Sequence, residues 1–126
     1  MNARSRTITA PPRRFTPLPE QPTVSIVIPV RNEEPFMAAC MDSLERLDYP
    51  RDLLEVVFAD ARSTDRTAAM ARERGYRVAD NPGLKISAGR NAGFAASRGR
   101  VVAFSDADCV FDTAWVRHAV ARLRDG

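Results

Sequence analysis

Asp106 and Asp108 stand one residue apart at the end of the apolar run Val101-Val102-Ala103-Phe104-Ser105. Two carboxylates closing a buried strand make a hard, oxygen-rich site for Mg²⁺ or Mn²⁺, ions that keep coordination positions open for phosphate oxygens. Cys109 follows directly, and a soft thiolate is a poor partner for Mg²⁺. Neither Cys109 nor Cys40 belongs to a metal-type Cys/His spacing, so both read as free thiols of a reducing compartment. Other polar clusters close the earlier apolar runs: Pro29-Val30-Arg31-Asn32-Glu33 after the first and Asp60-Ala61-Arg62 after the second. No G-x-G-x-x-G follows the first run and no G-x-x-x-x-G-K-[ST] occurs anywhere, so a glycine cradle for phosphate is absent. Phosphate charge must then be met by metal and by arginine, whose planar fork suits it. Arg31, Arg62 and Arg90 are the candidate cations.

The elements that must position these groups alternate in type. Val24–Val30 is a near-continuous β-branched run, the pattern of a strand buried on both faces. A helix follows Asn32-Glu33-Glu34-Pro35, with Phe36, Cys40, Leu44 and Leu47 predicted on one face. Leu54–Asp60 reads as a second strand, followed by a helix capped by Ser63 or Thr64 and closed by Gly75. Tyr76–Ala79 reads as a short third strand. A small-residue helix then runs from about Ser87 to Arg98, with Gly99 at its C-terminal cap. Arg100–Ser105 is the fourth strand, and Asp112 or Thr113 caps a last helix that places Trp115, Ala119 and Leu123 together. This βαβαβαβα order predicts an α/β domain with a parallel sheet, and right-handed crossovers most simply give strand order 3-2-1-4. Ligands of such sheets bind beyond the carboxyl ends of the strands where the order reverses. Here that point lies between strands 1 and 4, which brings Pro29–Glu33 beside Asp106–Asp108.

Four segments, VSIVIPVRNE (Val24–Glu33), ADARSTDRT (Ala59–Thr67), AGRNAGFAASRG (Ala88–Gly99) and FSDAD (Phe104–Asp108), resemble the successive motifs of family-2 glycosyltransferases with the GT-A fold. The resemblance covers roughly residues 24–118 and implies a Rossmann-like GT-A half-domain over 23–126. It implies transfer of a sugar, with inversion, from a nucleoside-diphosphate donor, UDP being the expected nucleotide, to a glycan, lipid or small-molecule acceptor. By position, Pro29, Val30, Arg31 and Glu33 would line the nucleoside pocket, Asp60 would face the base and Arg90 the nucleotide. Asp106, with Ala107 beside it, would bind at the ribose or the metal, and Asp108 would coordinate the cation. Two positions depart from the family pattern: Ala61 replaces a frequent second Asp, and Arg62 replaces a Gly. The family's acceptor half and its catalytic base are expected beyond Gly126.

Two other readings use the same residues. Without an acceptor half, the chain could be a catalytically silent nucleotide-binding half-domain. Asp106–Val110 also fits the D-x-D-x-[TV] signature of haloacid-dehalogenase-type phosphatases, in which the first Asp is a nucleophile. That motif normally opens its domain, and here three motifs precede it.

Charge and composition narrow the partners. Of 19 basic and 16 acidic residues, four (Arg4, Arg6, Arg13, Arg14) and one (Glu20) fall in residues 1–22, which leaves 15 of each for the remainder. The whole excess of +3 lies in that segment, and a neutral folded part argues against a nucleic-acid surface. Five of nine prolines also fall there, so residues 1–22 are predicted to form a disordered basic tail. It lacks the apolar core of a signal peptide, and no later run is long enough to span a bilayer. The location expected is cytoplasmic, at the inner membrane face in a full-length enzyme.

Overall fold

The computed structural model describes residues 17–125. Its sheet is built outward from β1 (Val24–Val30), which pairs in parallel with β2 (Leu54–Asp60) on one side and β4 (Val101–Phe104) on the other. β3 (Arg77–Asp80) pairs in parallel with β2, so the strand order is 3-2-1-4, as the alternation predicts. Between the strands run α1 (Glu34–Glu45), a 3₁₀ turn at Arg51–Leu53, α2 (Thr67–Glu73) and α3 (Ile86–Ala96), and α4 (Trp115–Asp125) follows β4. None of these helices is long and apolar enough to cross a membrane.

The two faces of β1 are packed differently. Val24, Ile26, Ile28 and Val30 join Phe58 of β2 and Met37, Cys40, Met41 and Leu44 of α1 in the main core, with Val116 and Val120 of α4 added. On the other face lies α3, brought close by glycines. A Cβ on Gly93 would stand 2.2 Å from Cγ1 of Val27, and one on Gly89 would stand 2.9 Å from Cβ of Pro29. The small-residue helix is therefore small where it crosses β1. At Gly75 the need is conformational: with φ at 83° it ends α2 in the left-handed region.

Several element ends differ from the sequence reading. α3 stops at Ala96, and Gly99 is not its cap. Gly99 instead lies against β1, where a Cβ would stand 2.6 Å from the backbone nitrogen of Ser25. Neither Ser63 nor Thr64 caps α2, which begins at Thr67 after a loop held by Asp65. Phe36 faces outward on α1, where Met37 and Met41 take the buried stripe. On α4 the buried pair is Val116 and Val120; Leu123 is exposed and Trp115 half-buried, stacked on Phe111. Of the basic tail, residues 1–16 lie outside the described residues. Pro22 is buried, and its carbonyl accepts a 2.5 Å hydrogen bond from the Tyr49 hydroxyl.

Candidate functional site at the sheet switch point

The carboxyl ends of β1 and β4 diverge around a crevice of about 100 Å³. Pro29, Val30, Arg31, Glu33, Asp106 and Ala107 line it, and Ala61, Asn81, Leu84, Lys85 and Ile86 complete its walls. A larger hollow of about 620 Å³ opens at the opposite end of the sheet. Its arginines are already engaged there: Arg74 with Asp42 and Glu45, and Arg77 with Glu55. The switch-point crevice instead carries the carboxylates of Glu33 and Asp106, neither engaged in an ion pair among the described residues, so the smaller crevice is the candidate site.

Asp106 and Asp108 follow β4 on a loop fastened at both ends. The Ser105 N–H donates to the Val27 carbonyl at 3.1 Å, which carries the loop off the end of β1. Farther on, the Phe111 N–H donates to Ser43 Oγ at 3.0 Å and the Asp48 N–H to the Thr113 carbonyl at 2.7 Å, both from α1 and the turn after it. Both aspartates are exposed, and one oxygen of each lies with Sγ of Cys109 in a group whose atoms are all within 4.8 Å of one another. Oxygen donors on opposite sides of a small divalent ion, each at 2.0–2.6 Å, stand roughly 4–5 Å apart. The donor set therefore fits one hard or borderline cation.

Glu33 faces the same carboxylates. It occupies the N-terminal cap position of α1, yet its side chain makes no capping hydrogen bond. Its carboxyl is raised above the ordinary value by partial burial, then by the negative charges of Asp108, Asp106 and Asp65. A cation between these groups would relieve that repulsion.

Across the mouth, the loops after β1 and β2 are tied together. Asn32, at φ 50°, accepts the Thr64 N–H on Oδ1 at 2.8 Å, and its own N–H donates to Ser63 Oγ at 2.9 Å. Asp65 accepts from the Thr67 N–H at 2.9 Å and from the Glu34 N–H at 3.2 Å, so it serves the loop and α2. Arg31 lies over the crevice with Nη1 donating to the Ala61 carbonyl at 2.8 Å.

Four residues singled out from the sequence are absent from the crevice lining: Asp108, which stays grouped with Asp106, and Asp60, Arg90 and Arg62. The carboxylate of Asp60 is nearly buried and turned to its own loop, accepting the Ser63 hydroxyl at 2.5 Å and the Ser63 N–H at 3.3 Å. Arg90 is exposed on α3 and is not a lining residue of the crevice. Arg62 reaches Asp80 at 3.4 Å on the surface. Lys85 and Asn81, neither of them singled out from the sequence, are in the lining. Asn81 is buried and bridges strand ends to α3: its N–H donates to the Asp60 carbonyl at 2.9 Å and Nδ2 to the Lys85 carbonyl at 3.0 Å. The Asn-Pro-Gly string signals a turn, and nothing local in it signals a wall of a site.

A family model described as Glycosyl transferase family 2 matches residues 25–126. Glycosyltransferase AglE of Haloferax volcanii is 32% identical over 109 residues, which span 81% of this chain and 36% of that protein. The structure of the mannosyltransferase PcManGT from Pyrobaculum calidifontis, in complex with GDP-Man and Mn²⁺, superposes with a TM-score of 0.72 at 29% identity. That match covers 92% of this chain and 36% of the other. Glucosyl-3-phosphoglycerate synthase from Mycobacterium tuberculosis, in complex with Mn²⁺, UDP and glucosyl-3-phosphoglycerate, gives a TM-score of 0.67 at 28% identity, covering 83% of this chain and 40% of that one. The chain thus spans little more than a third of the length of these relatives.

Proposed function

The chain belongs to glycosyl transferase family 2, and we propose that it forms the donor-binding part of a metal-dependent, inverting glycosyltransferase. The observation that carries this reading is the convergence of Glu33, Asp106 and Asp108 at the switch point of the sheet. Further support comes from the two similar structures, which hold a nucleotide or nucleotide sugar together with Mn²⁺. The family match also takes in the three motifs before Asp106, which a phosphatase opening at that residue leaves unexplained.

On this reading Pro29, Val30 and Ala107 wall the nucleoside, Glu33 stands beside its base or ribose, and Asp106 and Asp108 hold the cation on the diphosphate. The cation, Mn²⁺ or Mg²⁺, supplies Lewis-acid stabilisation of the charge that grows on the leaving diphosphate. Arg31 and Lys85 add fixed positive charge at the rim. UDP is the donor nucleotide we propose. Breaking the sugar–phosphate bond by direct displacement requires a general base to take the proton of the attacking acceptor hydroxyl. Glu33, Asp106 and Asp108 are already committed to the donor, so we assign that base to sequence that the longer relatives have and this chain does not include.

Calorimetric titration with UDP, GDP and dTDP, each with Mn²⁺ and with chelator, tests the reading. UDP is expected to bind more tightly with Mn²⁺, and Asp108→Ala to abolish the difference. Folded protein that binds no nucleotide better with metal would overturn the donor site.

A further inference from the structure

Asn81 follows β3 and is 2% exposed, yet it belongs to the lining of the switch-point crevice. Its backbone is held on two sides: the N–H donates to the Asp60 carbonyl at 2.9 Å, and the carbonyl accepts the Leu84 N–H at 3.3 Å. The side-chain amide is oriented by the bond from Nδ2 to the Lys85 carbonyl at 3.0 Å. A carbonyl only accepts, so this bond fixes which end of the amide is nitrogen and leaves Oδ1 as the other end. Among the described residues no donor reaches Oδ1. A buried amide oxygen without a donor is rare, because burial costs it the hydrogen bonds of water. The other side-chain oxygens of the lining belong to the carboxylates of Glu33 and Asp106, so Asn81 is the one neutral side-chain acceptor there.

Resting on the donor-site reading above, we propose that Oδ1 of Asn81 accepts a ring N–H of the donor's nucleobase, and so selects uracil against cytosine. Uracil carries a proton on N3, which a neutral amide oxygen accepts. Cytosine has a lone pair at that atom, and two acceptors facing each other in a buried site leave both unpaired. The side chains of Pro29, Ala61 and Leu84 supply apolar lining suited to a flat ring. Ala61 offers only a methyl group at the position where the family pattern often has Asp, and Asn81 supplies an acceptor from the end of the neighbouring strand. Guanine also carries a ring N–H, at N1, so Asn81 by itself does not separate UDP from GDP.

Calorimetry on the unmutated chain with Mn²⁺ compares UDP, CDP and 3-methyl-UDP, in which a methyl group replaces the N3 proton. CDP and 3-methyl-UDP are expected to bind at least about ten-fold more weakly than UDP. Asn81→Asp keeps the side chain's shape and its acceptor, but a carboxylate also accepts the N4 amino protons of cytosine. That variant should therefore narrow the ratio of UDP to CDP affinity, a readout that a purely structural role would leave unchanged. Thermal melting checks that the variant is folded, and if it is not, the 3-methyl-UDP comparison on unmutated protein decides. Equal binding of the three nucleotides overturns the proposal, as does a folded Asn81→Asp that weakens UDP and CDP alike. If Mn²⁺ strengthens UDP binding but the base makes no difference, the Asn81 assignment fails and the donor site stands. If no nucleotide responds to metal, the donor-site reading itself fails and Asn81 loses its role with it.

Discussion

At the scale of single residues, the site is a place where the fold accepts repulsion. Glu33 is raised first by burial and then by Asp108, Asp106 and Asp65. A carboxyl whose folded value lies above its unfolded one costs nothing at low pH, and its penalty grows as pH rises through the folded value. Removing one neighbouring charge should therefore stabilise the metal-free protein at neutral pH. We expect Asp108→Asn to raise Tm in chelator, on the order of 2 °C, while abolishing the further rise that Mn²⁺ gives the unmutated chain. Differential scanning fluorimetry with Mn²⁺ and with chelator checks both halves. A lower Tm in chelator would mean that Asp108 is a structural residue rather than a ligand held in waiting.

Elements are fixed in place by contacts far apart in sequence, and two of these can be tested by substitution. Glu55 on β2 accepts the buried Ser25 hydroxyl of β1 at 2.6 Å, Arg77 of β3 at 2.8 Å and the Arg98 N–H after α3. Burial alone would push its carboxyl up; the hydrogen bonds from Ser25, Arg98 and Arg77 outweigh it and hold the value below the ordinary 4.5. Its stabilising effect is then full above about pH 4.5 and is lost as pH falls through the folded value. Glu55→Gln should cost about 1–2 kcal/mol at pH 7 and flatten the acid limb of urea midpoints measured against pH. Gly93→Ala presses a methyl group into Val27, a fully buried side chain on β1. We expect a loss of about 1–3 kcal/mol by chemical denaturation, partly recovered in the double variant with Val27→Ala. Full additivity of the two changes would show that α3 meets β1 elsewhere.

For the molecule as a whole, the proposed donor site predicts binding rather than turnover. On that reading the carboxylates Glu33, Asp106 and Asp108 serve the donor and the cation, and the base for an acceptor hydroxyl is expected outside this chain. The 126-residue chain alone should bind donor and hydrolyse it slowly at most, followed as released nucleotide and as glycosylated product by mass spectrometry. Robust transfer by this chain would place the base among Glu33, Asp106 and Asp108. In this structure β4 is an edge strand, and exposed Phe104 stands on it with Phe94 and Val110 also exposed. Unpaired edges with apolar side chains invite pairing with another chain. Sedimentation should show concentration-dependent association that Phe104→Lys reduces.

The sequence by itself determined the order of elements and the strand order, because β-branched runs and helical periods are local and right-handed crossovers leave few topologies. It also determined that Pro29–Glu33 and Asp106–Asp108 meet, since both lie at strand ends flanking the switch point. Only the tertiary structure decided which polar groups are left for a ligand. Asp60 reads like a site carboxylate, and the structure shows it also holding the turn through Ser63; Asn81 reads like a turn residue, but burial between β2 and α3 makes it a wall. Gly89, Gly93 and Gly99 fit the same division. Their type is plain in the chain, but the clearance each provides against Pro29, Val27 and Ser25 exists only once α3 and the loop after it lie on β1. Hydrogen-bond partners and close approach between segments 30 to 80 residues apart depend on packing, and no local pattern encodes them.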